Sequence, residues 1–154
     1  MSVYFGTFEN KVDRKGRVSV PAPFRQILAT SAFQGIIAFH YHTPNAMEAC
    51  GLEFMERLEL SASDFELFSE QHDDLGFNIF AESLPLPFDG EGRVILPASL
   101  LEITGITERA AFVGKGPTFQ IWEPGALTAR KAEARKRAPN LTLRLRRDEP
   151  GGGR

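Results

Sequence analysis

His40, His42 and Cys50 put two imidazoles and a thiol close together in sequence, the donor types that bind zinc or act as nucleophiles. His40 and His42 lie two apart on an expected strand and so face the same way. The frameworks that hold zinc, paired cysteines or an H-E-x-x-H helix, are missing. Nothing in sequence marks a base beside Cys50 that would activate its thiol. These residues read as histidines on a half-exposed strand and an unactivated cysteine, and neither a metal nor a cofactor is expected. GKGP (114–117) has the glycines of a phosphate cradle without the Lys-Ser/Thr and long helix that complete one. A hairpin turn is the simpler reading. No residue presents itself as catalytic, and the protein is not expected to be an enzyme.

A different pattern occurs twice. VDRKGRVSVP (12–21) and FDGEGRVILP (88–97) repeat in register, pairing Asp13 with Asp89, Gly16 with Gly92, Arg17 with Arg93, Val18 with Val94 and Pro21 with Pro97. Asp at a turn entry bonds backbone amides, and Gly takes the positive φ that closes a bulged hairpin. Asp13, Gly16, Asp89 and Gly92 are therefore read as architecture. The tips differ: Arg14 and Lys15 in the first copy, Gly90 and Glu91 in the second. Nothing structural demands two cations at a hairpin tip, and such a tip can meet phosphates or guanine edges in a groove.

The elements that position these turns also repeat. Each copy reads strand, turn, strand, short helix, strand, turn, strand. Phe24 and Ile27 correspond to Leu100 and Ile103, and GIIAF (35–39) to AAFVG (110–114). The loop HYHTPN (40–45) makes the first copy about four residues longer. Val18, Val20, Val94 and Leu96 are expected to point to one side of their strands, with Arg17 and Arg93 on the other. Pro21 and Pro97 suit first helical turns, the first helix ending near Thr30 and the second capped by Gly105. Residues 52–75 read as a helix with a solvated acidic face. PGALTARKAEARKRA forms a helix that Pro139 stops. The tail LTLRLRRDEPGGGR alternates apolar and basic residues before dissolving into glycine, as either a strand against a partner or a disordered end.

Composition is that of a soluble globular protein, with 42% hydrophobic and 25% charged residues. No apolar run approaches a membrane span, the start lacks the pattern of a signal peptide, and the single Cys50 fits a reducing compartment. Cytoplasm is the expected location. The net charge of −2 hides segregation. Residues 48–91 hold twelve of the twenty acids and one base, Arg57. Lys11, Arg14, Lys15, Arg17 and Arg25 stand against Asp13 alone, and the carboxyl end holds Arg130, Lys131, Arg135, Lys136, Arg137, Arg144, Arg146 and Arg147.

Taken with its surroundings, the doubled turn resembles the MraZ family, bacterial regulators whose gene heads the division and cell-wall cluster and which are built from two SpoVT-AbrB-type repeats. The likeness is carried by YFGTFENKVDRKGRVSVPAPFR (4–25), FDGEGRVILP and the closing IW (121–122). It implies an α+β, strand-rich fold: two tandem AbrB-like β-barrel halves of swapped-hairpin type forming an intramolecular pseudo-dimer, with short helices and a helical linker. The expected divisions are a first repeat (4–55), an acidic linker (56–80), a second repeat (81–127), and a basic helix with a flexible tail (128–154). The resemblance further implies a ring-like homo-oligomer, nucleoid-associated, that binds short direct repeats of double-stranded promoter DNA upstream of its own operon. By position, the family's binding cations match Lys11, Arg17 and Arg25, with Arg14 and Lys15 at the tip and Arg93 in the second copy. Three features depart from the family: Leu86, Pro87 and Leu101 replace cations in the second copy, the linker is unusually acidic, and the basic tail is long. The first departure points to the first copy as the DNA face. Readings from other classes are an AbrB-fold antitoxin that neutralises a protein partner, and a purely structural ring.

Overall fold

The computed structural model describes residues 3–146. The expectations for Arg147 and the glycine-rich end lie outside the described residues. Along the described chain the order expected for each copy is present. The first half contains β1 (Thr7–Lys11), β2 (Arg17–Ser19), α1 (Ala22–Leu28), β3 (Gly35–Phe39) and β4 (Ala46–Cys50). The second contains β5 (Leu84–Pro87), β6 (Arg93–Ile95), α4 (Ala98–Thr104), β7 (Arg109–Gly114) and β8 (Phe119–Trp122). Between them run α2 (Leu52–Ala62), α3 (Glu70–Leu75) and a π-helical turn (Gly76–Phe80), and α5 (Pro124–Arg137) follows.

The halves are joined by exchanged strands. A six-stranded antiparallel sheet has the order β1-β7-β8-β4-β3-β5. Apart from the hairpins β3–β4 and β7–β8, every pairing crosses from one half to the other: β1 with β7, β5 with β3, and β4 with β8. A separate two-stranded ribbon pairs β2 with β6, and Val18 stands opposite Val94 at its centre. The sheet order reads the same from either end once the halves are interchanged. The closed β-barrel halves implied by the resemblance are not formed among the described residues. β1 and β5 are open edges, and β5 carries Pro85 and Pro87, which an edge strand tolerates.

Alternation along the strands divides the core. One face of the sheet, with Ile36, Ala38, Met47, Phe112, Phe119 and Ile121, packs beneath the ribbon, α1 and α4. The other face is covered in two places. Ile37, Phe39 and Cys50 meet Met55 of α2 and Ile79 of the π turn, while Ala111 and Trp122 meet Leu127 of α5. Phe24 of α1 is fully buried, with ring centroids 5.2 Å from Tyr4, 5.4 Å from Phe8 and 4.8 Å from Phe119. Its counterpart Leu100 is also buried, so one half fills the core with a ring and the other with an aliphatic chain.

The helix read over 52–75 is broken. Short polar side chains compete with the backbone there: Ser61 and Ser63 hydroxyls donate to the Arg57 and Leu60 carbonyls, and Ser69 caps a fresh helix by accepting from the His72 amide. Phe68, at φ 67°, turns the chain between the two pieces. The first short helix stops at Leu28, slightly earlier than expected, whereas α4 ends in a left-handed Gly105 at φ 73° and α5 runs into a 3-10 turn containing Pro139. Phe24→Ala should lower stability by about 3–5 kcal/mol, because it removes the ring shared by both halves. Urea unfolding checks this, and a loss below about 1 kcal/mol would contradict the packing described.

Candidate nucleic-acid interface

Both turns are built by their aspartates in the same way. Asp13 Oδ1 accepts from the Lys15 and Arg17 amides at 2.9 Å each, and its Oδ2 accepts from Arg17 Nε at 2.6 Å. Asp89 Oδ1 accepts from the Glu91 and Arg93 amides at 2.9 Å each, and its Oδ2 from Arg93 Nε at 2.8 Å. Gly16 and Gly92 sit at φ 81° and 76°, the left-handed region in which glycine is not penalised. Both aspartates are held below the ordinary carboxylate range, chiefly by the Arg17 and Arg93 amides respectively.

Each turn is also fastened to the opposite half. The Leu96 amide donates to Gly16 O at 2.8 Å, and the Val20 amide to Gly92 O at 3.2 Å. Because β2 and β6 are antiparallel, the two turns lie at opposite ends of one ribbon. Val18, Val20, Val94 and Leu96 are buried beneath it, while Ser19 and Ile95 are exposed on its outer side and Arg17 and Arg93 are half-buried there.

The expected cations do not form one cluster. Arg14 and Lys15 are exposed at the first tip, and neither side chain is in an ion pair among the described residues. Arg17 and Arg93 are tied to Asp13 and Asp89, and Arg93 Nη2 also lies 3.6 Å from a Glu91 carboxylate oxygen. These neighbours raise the Arg93 pKa, the Asp89 side-chain hydrogen bond most of all. Arg25, grouped by sequence with the first turn, lies instead against the second. Its Nε donates to Val20 O at 2.9 Å, and a Cβ on Gly92 would fall 2.7–2.9 Å from its Cδ, Nε and Cζ. Glycine at 92 is favoured by its φ, and a side chain there would also push the Arg25 guanidinium aside.

Lys11 is exposed at the end of β1, opposite Arg109 of β7. Phe8 packs into the core beneath the ribbon, so by alternation Lys11 belongs to the other face of the sheet. Lys11, Arg14 and Arg109 border one shallow concavity together with Asp13 and Glu108. Arg109 was missed by sequence reasoning. It lies far from the first turn in the chain, pairs with Glu9 at 3.2 Å, and reaches Lys11 only through the exchanged register. At the first tip Arg14, Lys15 and Arg17 outweigh Asp13, whereas at the second Arg25 and Arg93 are matched by Asp89 and Glu91.

The histidine–cysteine set is dispersed. β3 ends at Phe39, so His40 and His42 sit in the six-residue loop to β4 rather than on a strand. His40 Nε2 lies 3.1 Å from Thr43 O, and exposed His42 lies against Tyr41 with ring centroids 3.8 Å apart and planes tilted by 42°. Cys50 is fully buried, which pushes its thiol up to about 12. Among the described residues, no group of three or more His, Cys, Asp or Glu is arranged to hold a metal, and no helix is long and apolar enough to cross a membrane. GKGP forms the β7–β8 turn, closed by the Lys115 amide donating to Thr118 O at 2.8 Å.

No family model matches the chain. Individual proteins do. It is 44% identical to the "Transcriptional regulator MraZ" of Rickettsia bellii (strain OSU 85-389) over 147 residues, 95% of this chain and 98% of the relative. It is 43% identical to the protein of that name from Parvibaculum lavamentivorans over the whole of both chains, and 42% identical to that of Rickettsia akari over 95% and 98%. These relatives, matched over nearly their whole length, support a transcription regulator. The chain belongs to the MraZ family.

Depressed aspartate pKa values link the turns to pH. A carboxylate whose folded pKa lies below its unfolded value stabilises the fold above the unfolded pKa, about 3.9, and that contribution disappears as pH falls through the folded value. Stability should therefore fall on acidification below about pH 4, and the Asp13→Asn/Asp89→Asn variant should show a shallower fall. Denaturant midpoints measured from about pH 6 down to about pH 2.5 check it, and equal slopes for parent and variant would contradict it.

Proposed function

We propose that the protein regulates transcription by binding double-stranded promoter DNA through the first turn of the ribbon, as an assembly of several copies. The observation that carries this reading is the difference between two otherwise matching turns. Asp13 and Asp89 consume one arginine each, yet only the first turn leaves two further cations, Arg14 and Lys15, exposed and unpaired at its tip. A two-stranded ribbon is narrow enough to enter a major groove about 12 Å wide, where cations meet phosphates and guanine edges. Arg17 then acts mainly by holding the turn, Lys11 and Arg109 flank the approach, and Arg25 offsets Glu91 at the far end.

The exchanged halves, 4–55 and 81–127, act in this reading as an AbrB-like pseudo-dimer. Exposed Leu60, Phe65, Leu67, Phe68 and Phe77 in the intervening segment support assembly, since apolar surface of that kind is uncommon on a monomer. Several tips engaging spaced direct repeats upstream of the protein's own operon gain avidity without any one strong contact.

Lys15→Ala should weaken binding and lower the slope of log K against log salt by about 0.9 for each phosphate that is no longer neutralised. Arg14→Ala should cost about 1–3 kcal/mol and relax sequence preference where it reads a guanine edge. Glu91→Ala should leave affinity unchanged or slightly raised. Fluorescence anisotropy on upstream duplex at several salt concentrations decides between the turns. Parent-like binding by both first-turn variants, with loss in Arg93→Ala at unchanged oligomer size, would assign the DNA to the second turn.

A further inference from the structure

Two surfaces of the described chain are left uncovered, and they are complementary. The first is an arm. Every residue from Lys131 to Arg146 is exposed, the last turn of α5 included. Beyond the 3-10 turn, Leu141 is extended, and Leu141, Leu143 and Leu145 are 74%, 92% and 94% exposed. In an extended chain LTLRLR places its three leucines on one side and Thr142, Arg144 and Arg146 on the other. The second surface follows α2, where Leu60, Leu67, Phe68 and Phe77 are exposed. Between residues 56 and 77 they are interspersed with seven acids (Glu56, Glu59, Asp64, Glu66, Glu70, Asp73, Asp74) and one base, Arg57, whose guanidinium lies 5.5 Å from the Phe54 ring centroid. The arm reverses the balance: residues 130–146 hold Arg130, Lys131, Arg135, Lys136, Arg137, Arg144 and Arg146 against Glu133 alone.

We propose that residues 141–146 of one copy dock on the 60–77 surface of a second copy, the leucines covering the exposed rings while the long side chains of Arg144 and Arg146 curl around the arm's edges to carboxylates bordering the patch. This rests on the reading that the chain assembles. Both sides of the contact combine exposed apolar side chains with charge, and the charges are opposite in sign, which disfavours wrong partners. The occupant is a second copy because the arm and the patch carry opposite charge and, among the described residues, each stays exposed within one chain: the arm extends from the far end of α5, whose first turns pack through Leu127 on Trp122 and Ala111, while the patch follows α2, which packs on Ile37 and Phe39. In the fold of one chain both surfaces remain open. A contact in which each copy gives an arm one way and a patch the other is heterologous, so it continues from copy to copy until it closes.

The test uses the full chain. Leu141, Leu143 and Leu145 touch no core residue, so changing all three to Ser leaves the fold intact, and sedimentation velocity should show the variant reduced to single-chain size while the parent is assembled. Under mild oxidation, copies carrying Leu143→Cys mixed with copies carrying Leu67→Cys should form disulfide-linked pairs, and buried Cys50 does not compete. A parent that sediments as a single chain would overturn both this contact and the assembly it rests on. An assembled parent whose triple variant keeps its size, with no cross-linking in the mixture, would overturn the contact and leave the assembly standing. Closure within one chain carrying both cysteines, with none between mixed copies, would show the arm folding onto its own patch and would also overturn it.

Discussion

The pairing of each half's first strand with the other half's third strand is the constraint on which the rest of the molecule depends. β1 has no partner within its own half, and neither has β5. A half of this size with three or four short strands buries too little to stand alone. Exchange supplies the missing partner, and a tandem chain makes that partner intramolecular. It also accounts for the buried aromatic cluster, in which Tyr4, Phe8 and Phe24 of one half close over Phe119 of the other. The ribbon follows from the same crossing, because Val18 and Val94 can meet only when the halves interpenetrate.

Within that scaffold the turn is a frame whose tip is free to vary. Aspartate oxygens, two amides, one arginine Nε and a left-handed glycine make each turn, and none of these bonds uses the side chains at 14, 15 or 90. Cations or neutral residues can therefore stand at the tip without altering the backbone that presents them. The chain has one tip of net positive charge and one close to neutral at opposite ends of a ribbon. Arg25 is the residue that makes the second end neutral rather than negative, since it crosses to lie on Gly92.

Local chemistry was legible in the sequence wherever one short segment determines its own conformation. The Asp–Gly turns, the prolines opening α1 and α4, the Gly105 cap and the stop at Pro139 all act within a few residues, and the structure follows them. Long-range register was not legible. Nothing near Arg25 says that it will meet Gly92, and nothing near Lys11 points to Arg109, because both meetings arise from exchange between halves. The break at Phe68 was hidden for another reason: apolar spacing on both sides suits a helix, and only the competition from Ser61, Ser63 and Ser69 ends it. Alternation alone suggests a strand through His40 and His42, but both fall within the inserted loop HYHTPN (40–45), and the strand ends before it at Phe39.

The most direct measurement is hydrogen exchange of the full-length protein with and without duplex DNA from upstream of its own gene. Binding through the first turn predicts slowed exchange in peptides covering residues 11–20 and little change in those covering 88–97, although the two turns share the same hydrogen bonds. Protection confined to 88–97, or absent from both while the complex is formed, would contradict the assignment of DNA binding to the first turn.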